Sequence, residues 1–437
     1  MFARKIEKTL VNYYQNRSDK ILYVYGARQI GKTYIITNTS KEYFENVVEI
    51  NFRQDINSAQ IYKTVKNSED FYLQLSALYG NLLGNYNDTL IVLDDIQVYP
   101  HLLPLLRDFC IDKKYRFIAC GAIPNMDIKQ NYIPTDFIIE YRMFPMDFEE
   151  FLFANNVGKN VIEYLKKCYM GLESVSDGIH KVMLDYFKKY LIVGGLPYAV
   201  DAFVNEQNVF KVREYQEYVK NLYLEDIYRY ENNRKRFKIS AIYNSLPDHM
   251  GEKVKRIQAN KVNNKKGVML TNYMKDLDYL LASNITLGSL AVSDPFFPLL
   301  STSAKNLIKL YYNDVGILSS ILYSKNIMDI LNKEKGNGLG SLYETAVATE
   351  LAAHGHNLFY YDRKGVGYVD FILDDYNERC VMPVEVRSGN TLNLLRAILK
   401  FVQDPETVKR GVTFTNKNKV SKDGNLYTYP IYMIMFI

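Results

Sequence analysis

The segment with the clearest chemical signature is Gly26-Ala27-Arg28-Gln29-Ile30-Gly31-Lys32-Thr33. It has the spacing G-x-x-x-x-G-K-[ST] of a phosphate-binding P-loop. Glycines let the backbone curl so that successive N–H groups point at phosphate oxygens, and the positive end of the following helix adds to the attraction. We therefore expect these residues to bind a nucleotide, with Lys32 on the β- and γ-phosphates and the Thr33 hydroxyl on Mg²⁺.

A second pair of candidate residues, Asp94 and Asp95, follows the apolar run at 90–93. The carboxyl end of a buried parallel strand is where ligands bind in an open α/β sheet. We expect Asp94 to hold Mg²⁺, usually through water, and Asp95 to orient or activate the attacking water. An exposed Asp-Asp turn is the alternative, and the P-loop upstream makes it the weaker one.

Both motifs need elements that position them. Residues 21–25 are apolar and β-branched and predict a buried strand directly before the P-loop, and Tyr34-Ile35-Ile36 continues a helix after it. Further strands are expected near 47–52 and 115–120. Helices alternating with short apolar strands across residues 1–150 indicate a three-layer α/β domain.

Composition sets the class of protein. The chain has 437 residues, 48% hydrophobic and 24% charged, with a net charge of +5. That length predicts about three domains, and the charge permits nucleic-acid binding without requiring it. No apolar run approaches the ~20 residues of a membrane helix, and the first residues lack a signal-peptide core. The four cysteines show no CxxC spacing, so we expect a cytoplasmic protein with no disulfide framework, zinc site or membrane partner.

Several further blocks follow in a fixed order along the chain. They are Leu93-Asp94-Asp95-Ile96-Gln97, Phe148-Glu149-Glu150-Phe151-Leu152, Gly194-Gly195-Leu196-Pro197, Lys309-Leu310-Tyr311-Tyr312-Asn313-Asp314-Val315-Gly316 and residues 370–389. With the P-loop, they make nearly the whole sequence resemble prokaryotic AAA-type ATP-binding proteins that carry a C-terminal domain of unknown function. The resemblance implies an α/β fold with a P-loop ATPase domain at 1–155, a helical lid at 156–235, a winged helix-turn-helix at 236–325 and a restriction-endonuclease-like α/β domain at 326–437. It also implies ATP and Mg²⁺ as cofactors.

Three positions bear on catalysis. The family usually has Asp-Glu where this chain has Asp94-Asp95, and Gly-Ser where it has Gly121-Ala122. Aspartate is one methylene shorter than glutamate, so its carboxylate would fall ~1.5 Å short, and a misplacement of ~1 Å can cost ~10²-fold in rate. Arg142 matches a family arginine that meets the γ-phosphate from the same or a neighbouring subunit; a structural surface arginine is the equal alternative. We therefore predict tight ATP binding and slow hydrolysis.

The C-terminal part resembles the nuclease pattern Glu…Asp…Glu-x-Lys at Glu344, Asp370, Glu385 and Arg387. In such a site the carboxylates ligate Mg²⁺ and the lysine stabilises developing charge. Arg387 keeps the positive charge but cannot titrate and is bulkier than lysine. We favour a fold retained for structure over an active nuclease.

The predicted winged helix offers a DNA-binding surface. Its helices carry basic residues within 253–277, and residues 285–287 and 291–300 are predicted to form the wing. Such a module can place a helix in a DNA groove, although lysine-rich helices are more often solvated faces.

Three functions stay open from the sequence: a nucleotide-driven ATPase switch with a link to DNA, an ATP-gated nuclease, and a catalytically weak ATP-binding scaffold for a protein partner. A homo-oligomer is compatible with all three. A kinase is disfavoured because no acceptor-binding feature is visible.

Overall fold

The structure is a computed structural model. It describes residues 2–16, 18–53, 61–122, 134–228, 233–251, 255–262, 269–324, 327, 330, 339–363, 367–387, 395–404 and 406–437. The chain forms two compact units, Ala3–Phe144 and Pro145–Leu281 with Ile285–Ile437. Each unit is described by itself below.

The first unit is built on a parallel sheet of five strands. They are β1 Ile21–Tyr25, β2 Asn46–Asn51, β3 Thr89–Asp94, β4 Arg116–Gly121 and β5 Ile138–Arg142, in the order β2-β3-β4-β1-β5. All neighbouring pairs run parallel. β3 and β4 are buried along their whole length, which explains their continuous apolar runs. The carboxyl ends of all five strands therefore meet at one edge of the sheet.

Helices cover this sheet. They are α1 Ile6–Gln15, α2 Lys32–Ser40, α3 Ser68–Tyr79 and α4 Leu105–Asp112. The core beneath α3 and α4 is rich in aromatic side chains, and Phe109 stacks on Phe117 with ring centroids 4.5 Å apart. The predicted strand, loop and helix around the P-loop are all present. The unit ends at Phe144, before the predicted boundary at residue 155.

From Pro145 onward the chain is first helical and then mixed. The helices are α5 Phe148–Ala154, α6 Lys159–Gly171, α7 Asp177–Val193, α8 Pro197–Val204, α9 Val209–Tyr228, α10 Asn233–Met250, α11 Ala259–Val262, α12 Met274–Ala282, α13 Val315–Leu322, α14 Leu339–Ala353 and α15 Leu395–Val402. The helical character predicted for residues 156–235 is observed in the described part of that range.

The strands of the second unit form one mixed sheet. They are β6 Thr286–Val292, β7 Ser303–Tyr312, β8 Leu358–Arg363, β9 Gly367–Asp375, β10 Cys380–Arg387, β11 Gly411–Thr415, β12 Ser421–Asp423 and β13 Leu426–Pro430. The order is β12-β13-β11-β10-β9-β8-β6-β7. α14 is almost wholly buried and packs on this sheet, which explains its mostly apolar sequence.

The predicted wing at 285–287 and 291–300 is wrong, because one strand, β6, runs from Thr286 to Val292 and contains residues of both predicted segments. Residues 286–292 and 303–312 pair with each other, but β6 also pairs in parallel with β8, so both strands belong to the large sheet. The predicted boundary between residues 325 and 326 therefore falls between strands of a single sheet. Local hairpin patterns cannot reveal this, because the partner β8 lies far along the sequence.

Two of the sequence blocks meet in this unit. Asp314 is the N-cap residue of α13, and its carboxylate accepts hydrogen bonds from the N–H groups of Gly195 (2.6 Å) and Ile317 (3.2 Å). A Cβ atom built on Gly195 would lie 2.0 Å from the main-chain oxygen of Met146. Glycine is therefore required there by close backbone approach. The Gly-Gly-x-Pro block thus packs against the Asp-x-Gly block.

Among the described residues, no helix combines the length and apolar character needed to cross a membrane. All four cysteines are free, buried thiols.

Candidate functional site

The P-loop connects β1 to α2 at the carboxyl edge of the first sheet. Gly31 precedes α2 with φ 87°, a left-handed conformation that favours glycine. A Cβ built on Gly26 would lie 2.2 Å from the main-chain oxygen of Met143, so the loop begins against the end of β5. α2 starts at Lys32, and the unpaired N–H groups of its first turn provide the anion-binding end.

Lys32 folds back over the loop. Its side chain is buried, and Nζ donates to the carbonyl oxygens of Gly26 (3.1 Å) and Ala27 (2.7 Å). Burial lowers the pKa of Lys32, while the nearby Cys120, Asp95 and Asp94 oppose that shift. The Lys32 ammonium therefore lies inside the loop, close to Asp94 and Asp95.

Asp94 ends β3 and is held from two sides. Its Oδ2 accepts from Asn51 Nδ2 at 2.9 Å, and its Oδ1 accepts from the Cys120 thiol at 3.2 Å. Burial and the adjacent Asp95 raise the pKa of Asp94. The Thr33 hydroxyl lies 3.9 Å from the Cys120 sulfur. The two predicted Mg²⁺ ligands, Thr33 and Asp94, thus flank one thiol.

Asp95 follows β3 with φ 55°, a left-handed backbone that is uncommon for residues other than glycine. Its Oδ2 accepts from Arg53 Nε at 2.9 Å and its Oδ1 from Gln97 Nε2 at 2.7 Å. Burial would raise the pKa of Asp95, but the charges of Arg53 and Lys32 outweigh it and hold the pKa below its usual range. At neutral pH the Asp95 carboxylate is ionised, and each of its oxygens accepts a hydrogen bond.

The other two predicted positions lie at the same edge. Arg142 is the last residue of β5, in register with Tyr25 of β1, and its guanidinium lies 4.6 Å from the Phe144 ring centroid. Ala122 follows β4, and its carbonyl accepts from the Tyr23 hydroxyl at 3.0 Å. Ala122 offers no side-chain donor. The structure thus brings the P-loop, both aspartates, Ala122 and Arg142 to one edge.

Sequence reasoning missed Asn51, Arg53 and Gln97. Asn51 ends β2, and a polar residue at the carboxyl end of a parallel strand is a signal that could have found it. Arg53 lies beyond the strand, where no motif marks it. Gln97 belongs to the block Leu93-Asp94-Asp95-Ile96-Gln97, but its contact with Asp95 depends on the turn after β3.

The second unit also brings its predicted residues together. Glu344 lies on α14, Asp370 on β9, and Glu385 and Arg387 on β10. Val386 N donates to Asp370 Oδ2 at 2.8 Å. Burial is the main cause that raises the pKa of Asp370 to about 6, and the negative charge of the neighbouring Glu344 adds to it. Burial is also the main cause that raises the pKa of Glu385 well above its usual range, and the charge of Asp370 acts in the same direction.

Two lysines that the sequence did not assign complete this cluster. Lys309 of β7 lies 3.2 Å from Glu344 Oε1, and Lys255 forms an ion pair with Glu344 Oε2. The Tyr311 hydroxyl also donates to Glu344 Oε1, at 2.7 Å. Burial opposes ionisation of Glu344, but the two lysines outweigh it and lower its pKa to about 2. Glu344 is therefore an ionised carboxylate satisfied by protein cations.

The predicted DNA-binding stretch at 253–277 is described only in part. Lys253 and Val254 and residues 263–268 lie outside the described residues, as does Gly389 of the nuclease-like segment. Lys255 faces the buried Glu344 through an ion pair. Residues 270–282 form a single-turn 3₁₀ helix followed by α12.

Within the described residues, no group of three or more His, Cys, Asp or Glu side chains is arranged to hold a metal ion. In the first unit this leaves Thr33 and Asp94 as oxygen ligands, and Mg²⁺ in nucleotide sites takes its remaining ligands from phosphates and water. In the second unit Glu344 is paired with lysines. Asp370 and Glu385 remain, and Glu385 Oε2 is buried with no hydrogen-bond partner.

Comparisons with known proteins agree with this geometry in the first unit. Residues 18–152 match the family model described as an AAA domain. Residues 18–152, which include the P-loop and both aspartates, are thus similar to AAA domains. Residues 184–326 and 339–434 match two domains of unknown function, DUF8612 and DUF4143.

Two individual proteins are similar over most of the chain. The uncharacterised protein MJ1544 of Methanocaldococcus jannaschii is 23% identical over 402 residues, which cover 88% of this chain and 79% of that protein. The structure of the Walker-type ATPase PABY2304 of Pyrococcus abyssi covers 74% of this chain and 96% of its own, with 11% identity and a TM-score of 0.43.

Proposed function

We propose that this protein binds MgATP at the P-loop and hydrolyses it slowly, as a nucleotide-dependent switch. The observation that carries the proposal is the convergence of Lys32, Thr33, Asp94 and Asp95 at one edge of a parallel sheet. Gly26 supports it, because the close approach of Met143 O leaves no space for a side chain at the start of the loop.

The donor set fits a magnesium triphosphate. Lys32 supplies a cation for the phosphates, and the Thr33 hydroxyl and Asp94 carboxylate are hard oxygen ligands of the kind that Mg²⁺ prefers. Bound Mg²⁺ would neutralise phosphate charge. The start of α2 would contribute its free N–H groups to the phosphates.

Slow hydrolysis follows from the surroundings of Asp95. Its carboxylate is one methylene shorter than a glutamate, and Arg53 and Gln97 hold both of its oxygens. The Arg53 charge also keeps its pKa low, which weakens it as a general base. Ala122 adds no hydroxyl toward a γ-phosphate. Arg142 is proposed to supply the remaining positive charge.

Calorimetric ATP titration and a phosphate-release assay test this function. We expect wild type to bind ATP and turn it over slowly, Lys32→Met to lose affinity, and Asp95→Glu to raise kcat with little change in affinity. The matched control is Asp88→Asn, a half-buried carboxylate that precedes β3 at the opposite end of the strand from Asp94. A fast wild-type enzyme that Asp95→Glu slows would refute slow hydrolysis, and unchanged affinity in Lys32→Met would refute the site.

A second candidate function is nucleic-acid cleavage in the second unit. The unpartnered Glu385 Oε2 beside Asp370 favours a ligand there, and these two carboxylates fit a divalent cation. Glu344 does not fit as a ligand of that cation, because both of its carboxylate oxygens are paired with lysines, Lys255 and Lys309. We favour a structural role, and predict no plasmid nicking with Mg²⁺ or Mn²⁺. Cleavage that is lost in Asp370→Ala would establish the nuclease instead.

A DNA link through residues 253–277 stays a weaker proposal, because Lys255 forms an ion pair with the buried Glu344. A filter-binding titration across salt concentrations tests it. Absence of binding at low salt would leave the third function, an ATP-binding scaffold for a protein partner.

A further inference from the structure

Arg4 contacts the P-loop from outside the motif. Its Nη1 donates to the carbonyl oxygen of Ile30 at 3.0 Å, and its Nη2 donates to the carbonyl oxygen of Phe144 at 2.8 Å. Ile30 lies inside the loop, and Phe144 is the last residue of the first unit. One half-buried guanidinium therefore bridges the loop and the chain that leaves β5.

The contact with Ile30 fixes the orientation of one peptide group. Among the described residues the only cis peptide bond is Phe297-Pro298, so the Ile30–Gly31 peptide is trans. In a trans peptide the C=O and N–H bonds point in opposite directions. A carbonyl of Ile30 aimed at Arg4 therefore turns the Gly31 N–H away from Arg4. That N–H belongs to the series of loop amides that cradle phosphates in a P-loop.

Arg4 is itself held in place by α1. Its main-chain N–H donates to Glu7 Oε1 at 2.7 Å, and its carbonyl accepts from the Glu7 N–H at 3.0 Å. Ile6 and Leu10 anchor the same helix in the core. The guanidinium thus extends from a fixed backbone rather than from a free chain end.

We infer that Arg4 is a positioning residue for triphosphate binding: it holds the Ile30 carbonyl outward so that the Gly31 N–H is presented to the phosphates. This inference rests on the proposed ATP site. Arg4 acts through the peptide of the loop and does not contact the nucleotide. Without Arg4, the ligand must orient the Ile30–Gly31 peptide when it binds. The free-energy cost of that ordering then reduces the affinity for ATP.

The first unit offers a matched control. Arg116 makes the same kind of contact, with Nη1 and Nη2 donating to the carbonyls of Tyr14 (3.0 Å) and Tyr13 (2.8 Å). Those carbonyls lie on α1, not on the P-loop. Arg116→Met therefore loses two comparable hydrogen bonds from the same unit without releasing the loop.

The experiment measures ATP affinity by calorimetry and the melting temperature by circular dichroism for wild type, Lys32→Met, Arg4→Met, Arg4→Lys and Arg116→Met. We expect Arg4→Met to weaken ATP binding by about tenfold to 100-fold, which is about 1.4 to 2.8 kcal/mol. Arg4→Lys should recover part of this affinity, because an ammonium can reach one of the two carbonyls. Arg116→Met should lower the melting temperature and leave the affinity of the folded protein unchanged.

The outcomes separate the two proposals. If wild type does not bind ATP, or Lys32→Met binds it equally well, the proposed ATP site fails and the role of Arg4 fails with it. If Lys32→Met loses binding but Arg4→Met binds ATP as tightly as Arg116→Met does, only the role of Arg4 is overturned. If Arg4→Met melts too low to measure, Arg4→Lys with a weakened affinity and a near-normal melting temperature supports the inference. An unchanged affinity in Arg4→Lys then overturns it.

Discussion

The buried carboxylate of Asp314 predicts an unusual pH dependence of stability. Asp314 is 2% exposed and receives main-chain N–H groups from Gly195 and Ile317. Burial raises its pKa from 3.8 to about 6, although those hydrogen bonds work in the opposite direction. Most carboxylates stabilise a fold when they ionise. Asp314 is expected to do the reverse, because ionisation in the core is costly.

The sign follows from proton binding. Between its unfolded pKa near 3.8 and its folded pKa near 6, the folded protein retains a proton that the unfolded chain has lost. This contribution to the free energy of unfolding is therefore full below pH 3.8 and is lost as pH rises through 6. At ~1.4 kcal/mol per tenfold change in protonation, the whole loss is about 3 kcal/mol, and about 2 kcal/mol of it falls above pH 4.5.

The test compares wild type with Asp314→Asn by urea unfolding between pH 4.5 and 8, followed by circular dichroism. Asparagine keeps one acceptor oxygen and loses the other, a cost of ~1–3 kcal/mol that does not depend on pH. The informative quantity is the change in the difference between the two proteins. From pH 4.5 to 8 it should move by about 2 kcal/mol in favour of Asp314→Asn.

Asp404→Asn is the control. Asp404 is exposed, and hydrogen bonds led by that of Thr407 lower its pKa. Its stabilisation is lost only as pH falls below 3.8, so its difference curve should be nearly flat between pH 4.5 and 8. A curve for Asp314→Asn that is as flat as that of Asp404→Asn would refute the argument that burial dominates at Asp314.

Three other predictions follow from single contacts. Gly26→Ala should abolish ATP binding in a calorimetric titration, because its Cβ would lie 2.2 Å from the Met143 oxygen. Lys309→Met should lower the free energy of unfolding by ~3 kcal/mol in urea titrations, because it leaves the buried Glu344 with fewer cationic partners. The Cys120 thiol, whose pKa is raised well above its usual range by burial, should react with Ellman's reagent only after the native protein unfolds.

Each of these has its own check. Gly80→Ala should bind ATP normally, since a Cβ there meets nothing within 4 Å. Equal loss of affinity in both glycine variants would contradict the packing argument. Lys309→Met with unchanged stability would mean that Lys255 alone satisfies Glu344. Rapid thiol labelling under native conditions, traced to Cys120 by mass spectrometry, would show that β4 opens to solvent.

The sequence by itself determined the local parts of the nucleotide site. The P-loop spacing, the apolar strand before it and the run ending in Asp94 and Asp95 each describe a few adjacent residues. Hydrophobic periodicity and the backbone conformation of glycine depend on residues that are close in sequence. The strand, loop and helix around the P-loop therefore form as the sequence predicts. The resemblance likewise singled out Glu344, Asp370 and Glu385, which lie on α14, β9 and β10.

Only the tertiary structure decided which distant groups complete each site. Asn51 and Arg53 reach the two aspartates because parallel strands bring their carboxyl ends to one edge. Arg4 reaches the P-loop from the segment before α1. In the second unit, Lys255 and Lys309 of β7 both form ion pairs with Glu344 of α14, although they lie far from it in the sequence. The strands at 286–312 joined that sheet instead of forming a wing. Hydrogen-bond partners between strands depend on long-range packing, which local periodicity does not encode.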